Sequence, residues 1–215
     1  MGGIMSLILQ GSTSGSVTLQ EPAVAGTTVL TLPTTSGTVL TSASAISASS
    51  ITTGTLPKAQ LPTGSVLQVV QAVKTDTFST SSSTLADITG LSVTITPASS
   101  SNKILVLVDL HIGFSIYAGI VHLLRGSTKI YAGDGGLTRC GLYSNTFGNS
   151  NGNQLIPVTA VFLDSPATTS ATTYKLQTAN YGAGIQYVNR TGDNINETNR
   201  DGLTASSITV MEIAA

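Results

Sequence analysis

Charge is scarce in this chain. Only 9% of its 215 residues are Asp, Glu, Lys or Arg, and the net charge is −1. A protein that grips nucleic acid needs a basic stripe to displace counterions from phosphates. A membrane-surface patch needs clustered lysine or arginine. Neither can be assembled here, so no nucleic-acid partner is expected. Long apolar runs are missing too. Even Ile104 to Val108 falls far short of the roughly 20 residues that cross a bilayer, and no membrane insertion is expected. The opening Met1-Gly2-Gly3-Ile4-Met5 has no basic region and too little apolar length for a secretory signal, which points to assembly in a cytoplasm.

The single cysteine, Cys140, excludes a disulfide within the chain and a thiolate-rich metal site. Its neighbours are Arg139 and a run of Gly, Thr and Leu, so an inert thiol is the expectation rather than a nucleophile. Aromatic residues are absent from the whole of 1–77, Phe78 being the first, and up to Val73 the only charges are Glu21 and Lys58. Such a segment cannot build a conventional core, because the side chains that dominate burial are not there.

Serine, threonine, glycine and valine are plentiful, and helix formers are few, which reads as all-β. The hydrophobic centre is Lys103–Phe114. One parity holds Ile104, Val106, Val108, Leu110, Ile112 and Phe114; the other begins with Leu105 and Leu107 and turns polar at Asp109 and His111. This period of two predicts a long strand buried on one face, with its first half covered on both.

Before it, short alternating runs at 16–20, 28–32 and 37–41 are punctuated by Pro22, Gly26, Pro33 and Gly37. Their regularity favours strands over a flexible tether. For 42–53 a linker and a loosely wound shaft are equally open. Two Leu-Pro pairs, Leu56-Pro57 and Leu61-Pro62, form a hinge that leads to Gly64. From Ser65 onward strands are expected at 66–73, 85–96, 103–114, 119–125, 128–132, 155–163, 173–179, 185–189 and 207–213. Asp76–Thr84 reads as a polar loop, Gly126-Ser127 as a hairpin turn, and Ile208 and Val210 as core residues. Eight to ten strands over such a length suit two packed antiparallel sheets, most simply a jelly roll.

No reactive constellation stands out. Asp109 and His111 share a strand face, but a triad needs an oriented Ser and no Gly-x-Ser-x-Gly elbow occurs. His122 reads as a satisfied, partly buried histidine. Residues 189–202 are rich in oxygen ligands, yet the spacing of a calcium loop with its closing Glu is missing. A solvated turn region in which Arg190 and Arg200 pair with acidic neighbours is the expectation there. Asn189-Arg190-Thr191 and Asn196-Glu197-Thr198 are glycosylation sequons that matter only in a secretory pathway. The glycines at 133–136 and 182–184 precede no helix and read as turns, not phosphate cradles. No catalytic residue, cofactor or metal is assigned. The most suggestive stretch is 142–153, whose Tyr143, Asn145, Phe147, Asn149, Asn151 and Asn153 combine amides for sugar hydroxyls with rings for stacking. These six are the candidate receptor-binding residues.

Gly15-Ser16-Val17-Thr18-Leu19-Gln20-Glu21-Pro22-Ala23-Val24-Ala25-Gly26-Thr27, with Thr31-Leu32-Pro33 and Gly37-Thr38-Val39-Leu40, resembles a segment recurrent in tail-fibre proteins of tailed bacteriophages. The stretch from Ile51-Thr52-Thr53-Gly54-Thr55-Leu56-Pro57 to Leu61-Pro62-Thr63-Gly64-Ser65-Val66-Leu67-Gln68 is similar to the junction that leads into their C-terminal heads. Tyr187-Val188-Asn189-Arg190 and the closing 207–213 look like the last motifs of such heads. The likeness extends to fibres of phages that infect marine and cyanobacterial hosts.

The resemblance implies a homotrimer with interwoven strands at 1–41 that join other virion tail or baseplate proteins. It further implies a linker or thin shaft at 42–64 and a jelly-roll-like β-sandwich head at 65–215. The implied function is non-enzymatic attachment of the virion tail to a host surface glycan or protein, with assembly in the host cytoplasm. The alternatives are a collar or capsid fibre without receptor binding, and a non-viral lectin or adhesin head.

Overall fold

The computed structural model describes residues 6–10, 12–20, 58–115, 118–133, 141–144, 154–192 and 202–215. The chain divides into two compact units, Met1–Gly54 and Thr55–Ala215. The first contains an antiparallel hairpin of β1 (Ser6–Gln10) and β2 (Ser16–Gln20), with Leu7 opposite Leu19 and Leu9 opposite Val17. Gly15 supplies the positive φ of 80° that its turn requires. Ile8 and Leu9 point to opposite faces of the ribbon, yet both are about half exposed, at 52% and 53%. A two-stranded ribbon of this kind is marginal alone. The runs expected at 28–32 and 37–41, and the stretch 42–53, lie outside the described residues.

In the second unit the described strands are β3 (Val66–Lys74), β4 (Phe78–Thr80), β5 (Ala86–Ile95), β6 (Lys103–Phe114), β7 (Ala118–Arg125) and β8 (Thr128–Ile130). They continue with β9 (Tyr143–Ser144), β10 (Leu155–Asp164), β11 (Thr172–Tyr181), β12 (Gln186–Val188) and β13 (Ser206–Ile213). The short ones are collinear with others. β12 and β13 both pair with one edge of β6, Val188 opposite Ile112 and Ser207 opposite Asp109, while β10 takes the other edge. They form one rail, which the chain leaves after Val188 and rejoins at Ser206. β3 and β4 make the adjoining rail. β8 and β9 do the same along β7, Ile130 facing Leu123 and Tyr143 facing Val121.

Counted as rails, sheet one runs β3/β4, β12/β13, β6, β10, and sheet two runs β5, β11, β7, β8/β9. In chain order these are 1-8-3-6 and 2-7-4-5, a jelly roll.

The long strand is where the alternation placed it, and its apolar parity, Ile104 through Phe114, is buried throughout. It packs on Leu91, Val93 and Ile95 of β5, Val121 and Leu123 of β7, Leu176 of β11, and Ile208 and Val210 of β13. Asp76–Thr84 is not wholly loop: Phe78–Thr80 adds a short strand beside β12. Gly126, with φ 60° at the first position of a two-residue turn, joins β7 to β8 as a II′ hairpin requires.

Two buried polar knots hold one end, termed the base, where β6 begins and β13 ends. Asp164 of sheet one accepts both oxygens' worth of contact from Arg125 Nη1 (2.8 and 2.9 Å) and a 2.7 Å bond from the Tyr174 hydroxyl, both from sheet two. Burial, then the adjacent Asp164, pushes the Tyr174 phenol far up. Glu212, fully buried, accepts from Asn102 Nδ2, the Ala98 amide and Gln68 Nε2, each at 2.6 Å. Lys58–Gln60 forms one 3-10 turn, and Gly64 donates to the carbonyl of Ala214, so the chain joins the sandwich at this base.

Candidate functional site

The far end lies a full strand away. At about 3.3 Å per residue, the 12 residues of β6 place it nearly 40 Å from the base. The connections at the base are short: 96–102, 126–127 and 165–171. At the far end the chain turns at 81–85 and 182–185, β6 is followed by β7, and β9 is followed by β10. The excursion between β12 and β13 also starts here.

Tyr143 falls in β9, in register with Val121 near this far end. Asn145, Phe147, Asn149, Asn151 and Asn153 lie outside the described residues, as do Cys140, Asn196, Glu197 and Arg200.

Asn189 organises the described part of this end. Its φ is 63°, a left-handed conformation that Asn tolerates better than most residues. The backbone amide donates to His111 O at 3.0 Å. Its side-chain Nδ2 donates to Lys74 O (2.8 Å) and Asp76 O (2.9 Å), and its Oδ1 accepts from the Ser206 hydroxyl. Every polar atom of this fully buried side chain is thus engaged where the two halves of both rails meet. Asn189 is neither a glycan acceptor in the folded state nor a free cation ligand.

The acidic neighbours expected to pair with Arg190 lie outside the described residues. The Arg190 guanidinium lies 4.1 Å from the centroid of the Tyr187 ring and bonds to the carbonyl of Thr191 at 3.2 Å. Tyr187, opposite Gly113, presents its ring to this guanidinium in a cation–π contact. Gly113 is required there: a Cβ would collide with the Arg190 carbonyl.

Beside this lies a polar interior. Asn180 Nδ2 donates to Gly184 O at 2.7 Å and holds the 182–185 turn, while its Oδ1 has no partner. Gln186 is 1% exposed and neither amide atom is bonded. It rests on Gly119 and Phe114, and a Cβ at Gly119 would displace it. Asn180 and Gln186 carry no sequence motif that marks them; their grouping comes from the β11–β12 turn.

His122 departs from expectation. It is 5% exposed, and Nε2 has no partner. Gly141 packs so closely on its ring that a Cβ would clash, and burial, with Lys129 nearby, holds the imidazole below its ordinary value. His111 Nδ1 lies 3.1 Å from Ala205 O, which takes the position a triad would give to a carboxylate. Asp109 on the same face is exposed. Among the described residues, no group of three or more His, Cys, Asp or Glu side chains is placed to hold a metal ion.

The fold defines a jelly-roll domain that the chain enters at its base, with the connections after β9 and β12 beginning toward the opposite end. No family model matches the chain, and no curated protein matches it. Among solved structures, the T=1 particles derived from infectious bursal virus match with 17% identity over 69% of this chain and 36% of that one, at a TM-score of 0.31. The infectious bursal disease virus Gx strain structure matches with 18% identity over 69% and 37%, at a TM-score of 0.32. The VP2 subviral particle of infectious bursal disease virus matches with 15% identity over 68% and 40%, at 0.25. The chain thus covers well under half the length of each of these capsid structures. At such TM-scores the likeness carries no functional argument.

Proposed function

We propose that this protein is a structural component of a virion, a tail-fibre-like appendage that attaches to the host surface through the far end of its jelly roll. It works as a homotrimer and without catalysis. Its N-terminal strands join tail or baseplate proteins, and its 142–153 loop meets a host glycan or protein. The observation that carries this reading is the polarity of the second unit. The chain joins at a base of short, internally bonded connections, and the long Asn-rich connection departs from β9 at the opposite end. Loops held on a rigid scaffold are the usual seat of recognition. The resemblance of 15–40 and 51–68 to fibre segments supports the same reading. Weak single sites would be strengthened by several copies acting together.

The test is binding of the full chain to an array of bacterial surface glycans and to whole cells, beside a variant with residues 145–153 replaced by a Gly-Ser segment of equal length. Binding that the replacement abolishes is expected. Binding that survives it would move the receptor site elsewhere, and no binding to cells or glycans would leave a passive virion appendage.

A further inference from the structure

The two outer faces of the sandwich differ. On sheet two, Asp87, Ser92 and Thr94 of β5 lie beside Thr173, Lys175 and Gln177 of β11. These side chains bond one another: Lys175 and Gln177 to Asp87 at 2.9 and 2.7 Å, Thr94 to Thr173 at 2.8 Å. That is a face made for water.

Sheet one is different. Its register aligns Val69, Met211, Leu105 and Leu163 in one row across the four rails. Gln71, Thr209, Leu107 and Val161 form the next, and the Gln71 amide is occupied by the Thr209 hydroxyl at 2.9 Å. Val73 begins a third row, and the bulge near Ile213 brings Val66 to the same face. Val66, Val69, Val73, Val161 and Leu163 are each more than half exposed. Solitary apolar residues on a surface need no explanation, but a continuous aliphatic sheet face does.

We propose that the outer face of sheet one is an interface between copies of this chain. It rests on the oligomeric part of the reading above and assigns that assembly a surface. The occupant follows from three features. The first two rows hold no aromatic ring, and their polar side chains, Gln71 and Thr209, bond each other, so they suit an aliphatic protein surface and not a glycan; polar groups return in the third row at Ser207, Asp109 and Thr159. The strands of this face carry one cation and one anion here, Lys103 and Asp109, at opposite ends of the apolar stretch of β6. The rows between them are uncharged, so a second copy of the same face packs on them without burying an unpaired ion. Pairing through the β10 edge is obstructed, because Pro157 stands in that edge strand opposite His111, whose amide and carbonyl both turn toward β12/β13. The coreless hairpin of the first unit independently calls for neighbouring copies.

The test uses the full chain in light scattering after size exclusion. The wild type is expected at three times 21.8 kDa. Val161→Lys/Leu163→Lys is expected to fall to the monomer mass with an unchanged far-ultraviolet circular dichroism spectrum, whereas Thr94→Lys on sheet two keeps the wild-type mass. A Val161→Cys variant in a Cys140→Ser background is expected to form interchain disulfides on mild oxidation without any loss of fold. An oligomer that persists in the double-lysine variant, with no cross-linking through Val161→Cys, would overturn this surface and leave the oligomeric reading standing. A wild-type monomer would overturn both.

Discussion

Asn189 shows how much one side chain can hold. It ties Lys74 and Asp76 of one rail to Ser206 of another while its own backbone sits in the left-handed region. Asn189→Ala strands two buried carbonyls and adds backbone strain, so a loss of about 3 kcal/mol is expected in urea unfolding. Asn189→Gly loses the same bonds but relieves the backbone, and should be the less damaging of the two. Glu212 supplies a pH dependence. Burial pushes its carboxyl up, but Asn102, the Ala98 amide and Gln68, with Lys58 nearby, outweigh that and set it below its ordinary 4.5. A carboxyl lowered in the folded state contributes stability that is fully present above the unfolded value and is lost as pH falls through the folded one. Thermal melts between pH 7 and pH 3 should therefore show wild-type stability dropping below about pH 4.5. Glu212→Gln should start lower at pH 7 and lose less over the same range.

At the level of elements, the sheets are joined at the base by Asp164 of β10 with Arg125 of β7 and Tyr174 of β11. Asp164→Ala leaves a phenol and a partly buried guanidinium without their acceptor, and about 3 kcal/mol of destabilisation is expected by chemical denaturation. Tyr174→Phe removes one bond and should cost about 1 kcal/mol. The long strands were legible because each repeats its alternation often enough to be told from chance. β6 and β13 are the clearest, with Ile208 and Val210 buried as the pattern required. β4 and β9 are three and two residues long. Their existence depends on a neighbour, β12 or β7, and not on any periodicity of their own. Register is likewise set in space. Nothing local in Tyr187–Ser206 announces that the chain leaves a rail and returns to it. Asn189 illustrates the limit: its side-chain partners Lys74 and Asp76 are 115 and 113 positions away, so a sequon is all that could be read there.

For the molecule as a whole, the all-β class and the two-sheet arrangement follow from composition and strand count, while the order 1-8-3-6 and 2-7-4-5 does not. The doubled apolar start of β6 was also legible, although the face expected to be covered there leaves Leu105 and Leu107 only half-buried. Only the completed sheet shows that Val69, Met211 and Leu163 extend it across all four rails. The pairing of β3 with β13 has a further consequence, one of timing. Gln71 reaches Thr209 across 138 positions of chain, and β6, the centre of the core, cannot fill both edges until β13 exists. Contacts of such long range close slowly, because the loop entropy is lost before any burial compensates for it. On a ribosome, the hairpin of β1 and β2 can form as soon as it emerges, whereas the jelly roll must wait for its last strand. Nascent copies would therefore expose their apolar strands for most of synthesis.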